Sequence, residues 1–262
     1  MKNAFIIGAR VITQLKGDKR FLALSLIAPL IVIYLLKIVF DIITPSSMMP
    51  MSDFMPIDIP APTLSAPRFI LPAAAFIVHF LSFVLCAIAL VQERTMGTLE
   101  RMLINGYRKP TIITGYTIGF FGLATLQAIF VITESILLFK FDFETKTIVV
   151  LFFVIWLLAI VSVMLGIFIS TFARNEGQVF PFIPLIILPS VFLTGVLADP
   201  EKLPNWANWL GHLFPLRYAN NIITILLKPE FKTTDLVFDF SMLALYAIGL
   251  LLLASRTLKE SN

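Results

Sequence analysis

Charge and cysteine are what this chain has least of. Asp, Glu, Lys and Arg together make up 14% of its 262 residues, where a soluble domain carries about a quarter. Hydrophobic residues reach 58%, with 25 Phe among them. A chain so poor in charge cannot coat a water-facing surface, so a soluble globular fold is excluded and an integral membrane protein is implied. The single cysteine, Cys86, lies inside an apolar run. That excludes an internal disulfide or a cysteine metal cluster, and Cys86 reads as a small buried hydrophobe. Histidine is almost as scarce. His79 and His212 are far apart and lack metal-ligand spacing, so no metal site is expected. No GxxxxGK[ST] phosphate loop occurs, so the chain is not expected to hold or hydrolyse ATP by itself.

What is present is a series of long apolar runs. At about 20 residues per crossing the length accommodates some six spans and little else. They are expected at about 21–40, 69–91, 111–139, 147–171, 179–198 and 235–255, an all-α integral membrane fold forming one domain over 1–262. The first run lacks a small-residue cleavage site and follows a long charged lead, so it is expected to remain as a span. Six spans put both termini on one side. The segments that then share that side hold Lys2, Arg10, Lys16, Lys19, Arg20, Arg94, Arg101, Arg108, Lys109, Arg174, Arg256 and Lys259. The opposite loops are longer in total yet hold only Arg68, Lys140, Lys146, Lys202, Arg217, Lys228 and Lys232, among many Asp and Glu. The basic bias predicts a multi-pass protein of the cell membrane with both termini cytoplasmic. The net charge of +4 is thus read as a sidedness signal, and no nucleic-acid partner is expected.

Within residues 1–20, Phe5, Ala9, Ile12 and Leu15 recur at helical spacing among basic residues, which predicts an amphipathic helix in contact with membrane lipid. Residues 92–110 form a charged island between two apolar runs. Here Gly97 is expected to end one helix and Thr98 to cap the next, with Glu100 in its first turn and Gly106 as its stop. Leu99, Met102 and Leu103 share one face of this short helix. A helix of about two turns with such a face is hardly stable alone, so it is expected to be gripped by a partner.

The fifth run contains Pro181, Pro184 and Pro189, which predicts a kinked or broken span. Irregular backbone at membrane depth survives where protein or a water-lined cavity satisfies it, making Phe180, Pro181, Pro184, Pro189 and Gly195 candidates for the wall of a pathway. Residues 199–234 hold apolar patterns too short to cross. Pro204 opens one with Trp206, Trp209, Leu210 and Leu213 as a stripe, and Pro215 precedes a second from Tyr218 to Leu227. Together they predict re-entrant helices forming an outer lid, with Trp206, Pro215 and Tyr218 as further gate candidates. Residues 41–68 string six prolines with Met48, Met49, Met51 and Met55. Thioethers so clustered are Cu(I) ligands in principle, but adaptable apolar cover is the expected role. Three polar groups fall inside spans: His79, expected to hydrogen-bond a neighbouring helix, and Lys37 and Glu134, expected to pair unless Lys37 snorkels outward. Gly115 and Gly119, and separately Ser162, Gly166 and Ser170, form small-residue stripes suited to close helix packing.

Two of these patterns occur together in a known family. The island's ER..GTLE.ML..G, from Glu93 to Gly106, is followed by Thr194 and Gly195, then Leu203 and Pro204, then Pro215, Leu216, Arg217 and Tyr218. This combination resembles ABC-2 type permeases, the membrane subunits of ATP-binding cassette exporters, and the resemblance covers most of the chain. It implies a permease dimer, of identical or different copies, above two ATPase subunits from another polypeptide that carry ATP and Mg. It also implies that Glu93, Gly97, Thr98, Leu99, Glu100, Arg101, Met102, Leu103 and Gly106 belong to the coupling segment, with residues 1–20 as the interface helix beside it. A Phe-rich path with few charges suits a hydrophobic or amphipathic cargo such as a drug, antibiotic or lipid. Polysaccharide exporters share the architecture. An ion-driven secondary transporter is expected to show related halves or several buried ionisable residues, and neither is visible.

Overall fold

The computed structural model describes residues 2–43, 66–197, 200–228 and 230–257. The Met-rich proline segment and Lys259 lie outside the described residues. Among the described residues ten α-helices follow in order: α1 Lys2–Gly17, α2 Lys19–Ile43, α3 Ala66–Thr95, α4 Thr98–Ile104, α5 Lys109–Phe139, α6 Thr145–Ser170, α7 Phe182–Leu193, α8 Asn205–Gly211, α9 Pro215–Leu226 and α10 Thr234–Thr257. No strand occurs among the described residues. Six segments of the described residues are long and apolar enough to cross a membrane: α2, α3, α5, α6, α10 and the run Glu176–Leu193 that ends in α7.

The fifth crossing is the irregular one, as its prolines predict. Its regular α-helix has 12 residues, reaching about 18 Å at 1.5 Å per residue, well short of a hydrocarbon core of about 30 Å. A 3-10 turn at Glu176–Gln178, capped by Asn175 accepting from the Gln178 amide, makes up part of the difference. Pro181 stands at the N-cap of α7. Pro184, Leu185, Leu188 and Phe192 leave this element largely bare.

The centre of the molecule is α3 packed on α6. α6 is apolar all round, which suits a helix surrounded by protein and lipid. Gly166 lets the two backbones meet: a Cβ there would stand 2.5 Å from the Phe83 carbonyl oxygen. Cys86, Phe83 and Ile167 are fully buried around this contact.

A second close approach joins α1 to α5. Cβ atoms at Gly115 and Gly119 would lie 2.6 and 2.5 Å from Ile7 and Val11, and one at Gly8 would lie 2.8 Å from Ile118. The small-residue stripe thus serves the amphipathic helix and not another span. The packed face of α1 is Ala4, Ile7, Gly8, Val11 and Leu15. The sequence-predicted face of Phe5, Ala9 and Ile12 shares only Leu15 with it, and Phe5 is exposed. α1 has two apolar stripes, and the one bearing glycine wins the protein contact because it allows the closer approach.

Beyond α7 the chain forms the expected pair of short helices. α8 presents Trp206 and Trp209 outward, with Leu213 exposed just beyond its end, while α9 sinks Leu216, Tyr218, Ala219, Ile222 and Ile223 against α3, α6 and α10. Two latches hold this layer to the end of α7, where Gly195 turns with φ 95°: Arg217 Nη1 donates to the Leu193 carbonyl at 3.1 Å and Asn220 Nδ2 donates to the Thr194 carbonyl at 3.0 Å. Tyr218 and Tyr246 hydroxyls both donate to the His212 carbonyl, at 3.0 and 2.9 Å.

Candidate functional site

The charged island folds as a tight turn, a helix and a second tight turn. Gly97 adopts φ 69° and Gly106 φ 81°, left-handed conformations that glycine takes at no steric cost. Gly97 itself is the N-cap of α4 and Thr98 is already its first helical residue, with no side-chain cap. The expected Thr98 cap is therefore corrected: the left-handed turn after α3 occupies the capping position. At the other end the Tyr107 amide donates to Met102 at 3.1 Å and the Gly106 amide to Leu103 at 3.0 Å. This pairing is the glycine-terminated stop expected there. Arg101 bends back, donating to the Met96 carbonyl at 2.9 Å.

The burial of α4 corrects a second expectation. Leu99 and Met102 do not face outward. They are 3% and 8% exposed, packed with Ile7, Val11, Leu15, Ile112 and Tyr116, and Leu103 is half-buried beside them. The apolar stripe read as a partner's handle is what glues α4 to α1 and α5. The outward surface consists of Thr95, Met96, Arg101, Ile104 and Asn105, with Met96 63% and Ile104 85% exposed.

Glu93 is nearly fully buried, and its partner is Arg10, whose Nη2 lies 2.8 Å from Glu93 Oε2. Arg10 Nη1 also reaches Met102 Sδ at 3.5 Å. Partial burial works against the Arg10 charge, but the hydrogen bond and the charge of Glu93 outweigh it and raise its pKa. Arg10 thus ties α1 to both α3 and α4. Nothing in the sequence links Arg10 to Glu93, because a position four residues from Gln14 on the polar edge of α1 gives no hint of a partner 83 residues away. Arg94 makes a parallel tie, donating to the Ala173 carbonyl at 2.8 Å in the turn after α6.

The intramembrane polar groups sort differently from expectation. His79 Nδ1 lies 2.7 Å from Ser162 Oγ on α6, the interhelical hydrogen bond expected. Lys37 and Glu134 do not pair. Lys37 meets Asp41 one turn along its own helix and lies over the Phe139 ring at 5.7 Å. An i,i+4 partner needs no tertiary fit, so it is satisfied first. Because Asp41 is exposed, Lys37→Met is expected to change the thermal unfolding midpoint by no more than about 2 °C, the worth of a surface ion pair. The pathway candidates do not converge within this chain. Phe180, Pro181, Pro184 and Trp206 are exposed, Pro189 and Gly195 are half-buried, and Pro215 and Tyr218 are buried within α9.

A bundle of six apolar crossings, with an amphipathic helix clamped to a short charged helix at one end and two non-crossing helices at the other, is the membrane part of a transporter. The chain belongs to the ABC-2 type transporter family, whose sequence profile matches residues 2–227. Permeases of this family work with the ATP-binding subunits of ABC transporters. Over 162 residues the chain is 26% identical to the ABC transporter G family member 20 of Dictyostelium discoideum, covering 61% of this chain and 22% of that protein. It is 24% identical to the probable multidrug ABC transporter permease YbhR of Escherichia coli over 62% of this chain and 44% of that one. The linearmycin resistance permease protein LnrN of Bacillus subtilis is 20% identical over 63% and 43%. Each match spans less than half of the relative's own length.

Proposed function

We propose that this chain is the permease of an ATP-driven exporter for a hydrophobic or amphipathic compound. Two ATPase subunits would dock on the end that carries α4, and a second permease copy would complete the pathway against the bare face of α7. The carrying observation is the α4 unit: a seven-residue helix set between two left-handed glycines, glued by Leu99 and Met102 to α1, and exposing Met96 and Ile104. Large exposed apolar groups among charges are the makings of a docking anchor. A stroke delivered to α4 would pass through Arg10 and Glu93 into α1 and α3. This placement puts the α4 end in the cytosol, in keeping with the basic bias, and the lid at the outer face of the cell membrane. The names of YbhR and LnrN favour a drug or antibiotic cargo over a glycan, as does the scarcity of charge in the spans.

The test separates the two faces of α4. Ile104→Arg is expected to weaken capture of the neighbouring ATPase about tenfold, roughly 1.4 kcal/mol, while leaving the thermal midpoint of the permease unchanged. Leu99→Arg is expected to unfold the permease instead, since it buries an unpaired charge. Full ATPase capture by Ile104→Arg would sink the docking assignment. Stimulation of ATP hydrolysis in reconstituted membranes by drugs, lipids and glycans in turn discriminates the cargo.

A further inference from the structure

We propose that Gln127 is a positioning residue that turns Pro29 into a hinge in the first crossing, by holding the backbone carbonyl the proline leaves unbonded. Pro29 lies in the interior of α2, where it offers no amide to the carbonyl four residues earlier and its ring pushes that carbonyl aside. The residue four back is Ser25, fully buried, so water from bulk does not satisfy the exposed oxygen. Gln127 of α5 does: its Nε2 donates to the Ser25 carbonyl at 2.9 Å. The other end of the same amide is fixed in turn, because Ser82 of α3 donates its hydroxyl to Gln127 Oε1 at 2.8 Å. A carbonyl can only accept, so serving Ser25 sets which way the Gln127 amide faces, and Ser82 holds it there.

Three helices are thus joined through one side chain at the point where α2 has lost its own bond. The geometry around the bridge suits bending. α2 buries only a narrow stripe, Ser25, Pro29 and Ile33, and is otherwise largely exposed. Its N-terminal half continues from α1, whose last residues lead directly into the Asp18 cap of α2, with the Phe21 amide donating to Asp18 Oδ1 at 3.0 Å. A void of about 10 Å³ lined by Ser25, Ser82, Cys86 and Gln127 lies alongside, about the room one water takes. A displaced Ser25 carbonyl has space there without prising the core apart. The half of α2 tied to α1 can therefore pivot against the half beyond Pro29, with the Gln127 amide as the pin.

The test is a double-substitution cycle on the folded permease. Gln127→Met keeps the volume and removes the donor, and it is expected to lower the thermal midpoint by about 5 °C. Pro29→Ala restores the missing amide, so in that background the same substitution is expected to cost well under half as much. Pro29→Gly restores the amide too and serves if the alanine variant does not fold. Equal losses in both backgrounds would overturn the assignment, because Gln127 would then be packing and nothing more. The hinge itself is read in the reconstituted transporter, where this second arm rests on the exporter reading given above. Transport per ATP hydrolysed is expected to fall in Gln127→Met, and an unchanged ratio overturns the hinge. A permease that shows the stability coupling but transports nothing in any form instead overturns the exporter reading.

Discussion

Gly166→Val is expected to leave almost no folded permease. The first atom of any side chain at this position would stand 2.5 Å from the Phe83 carbonyl oxygen, 3.0 Å from the Ala87 amide nitrogen and 3.1 Å from the Cys86 Cβ. Two of those neighbours are backbone, which cannot rotate away as a long side chain can. α3 would have to translate as a body, and the elements that pack on it, α2, α5 and α9 among them, would have to follow. Overpacking a close-fitting core costs about 1–3 kcal/mol when side chains can yield, and more when they cannot. The same shift would stretch the His79–Ser162 bond one turn away. Against a total stability of about 5–15 kcal/mol, a branched side chain here consumes much of the margin. Gly122 is the control, since a Cβ there meets nothing within 4 Å. Gly122→Ala is expected to be neutral or slightly stabilising through helix propensity. Yield of monodisperse protein and the thermal midpoint, measured for both, decide it: wild-type yield of Gly166→Val would show that α3 and α6 do not meet this closely.

That contact was legible as a pattern but not as a place. The stripe of Ser162, Gly166 and Ser170 says that a backbone comes close, and periodicity says on which face. Nothing in it names α3 as the partner. The spans were readable because a membrane crossing is a length and composition requirement, and both are local. The broken fifth crossing was readable for the same reason, since proline acts on its own backbone. Glycine turns at 97 and 106 were likewise local, although the side-chain cap assigned to Thr98 was displaced by the turn itself.

What escaped the sequence is what depends on which surfaces win. α4 has one apolar face, and sequence alone offered it to a partner subunit. The folded chain instead uses Leu99 and Met102 to close its own core and leaves Met96 and Ile104 outside. The N-terminal helix carries two apolar stripes, and only the glycine pairing with α5 decides between them. Lys37 and Glu134 share a depth, yet Asp41 lies one turn from Lys37 and takes it. Gln127 carries no sequence signal of its own, because an uncharged amide in an apolar run says little until the proline it serves is seen on the neighbouring helix.

Arg10 gives the second large effect, and it separates stability from coupling. Arg10→Glu is expected to destabilise α1 against the bundle and, on the exporter reading proposed above, to uncouple ATP hydrolysis from transport. The Glu93 side chain is only 4% exposed, while that of Arg10 is 38% exposed. The asymmetry sets where the cost falls: a second carboxylate at position 10 is partly solvated, but Glu93 is left buried beside a like charge. Breaking a fully buried pair costs about 3–5 kcal/mol, and the exposure of Arg10 reduces that to roughly 2 kcal/mol here. Much of α1 is expected to stay in place, because Ile7 and Val11 still seat on Gly115 and Gly119. The double variant Arg10→Met with Glu93→Met removes both charges. Its stability is expected to return close to the parent's, since apolar pairs replace buried ion pairs at little cost. Its coupling is expected not to return, because the directional link from α4 through Arg10 to Glu93 is gone. Thermal midpoints and transport per ATP, measured side by side, read the two separately. If the double methionine variant regains full coupling along with its stability, the ion pair is an ordinary structural contact and the stroke reaches the bundle through the apolar packing of α1 alone.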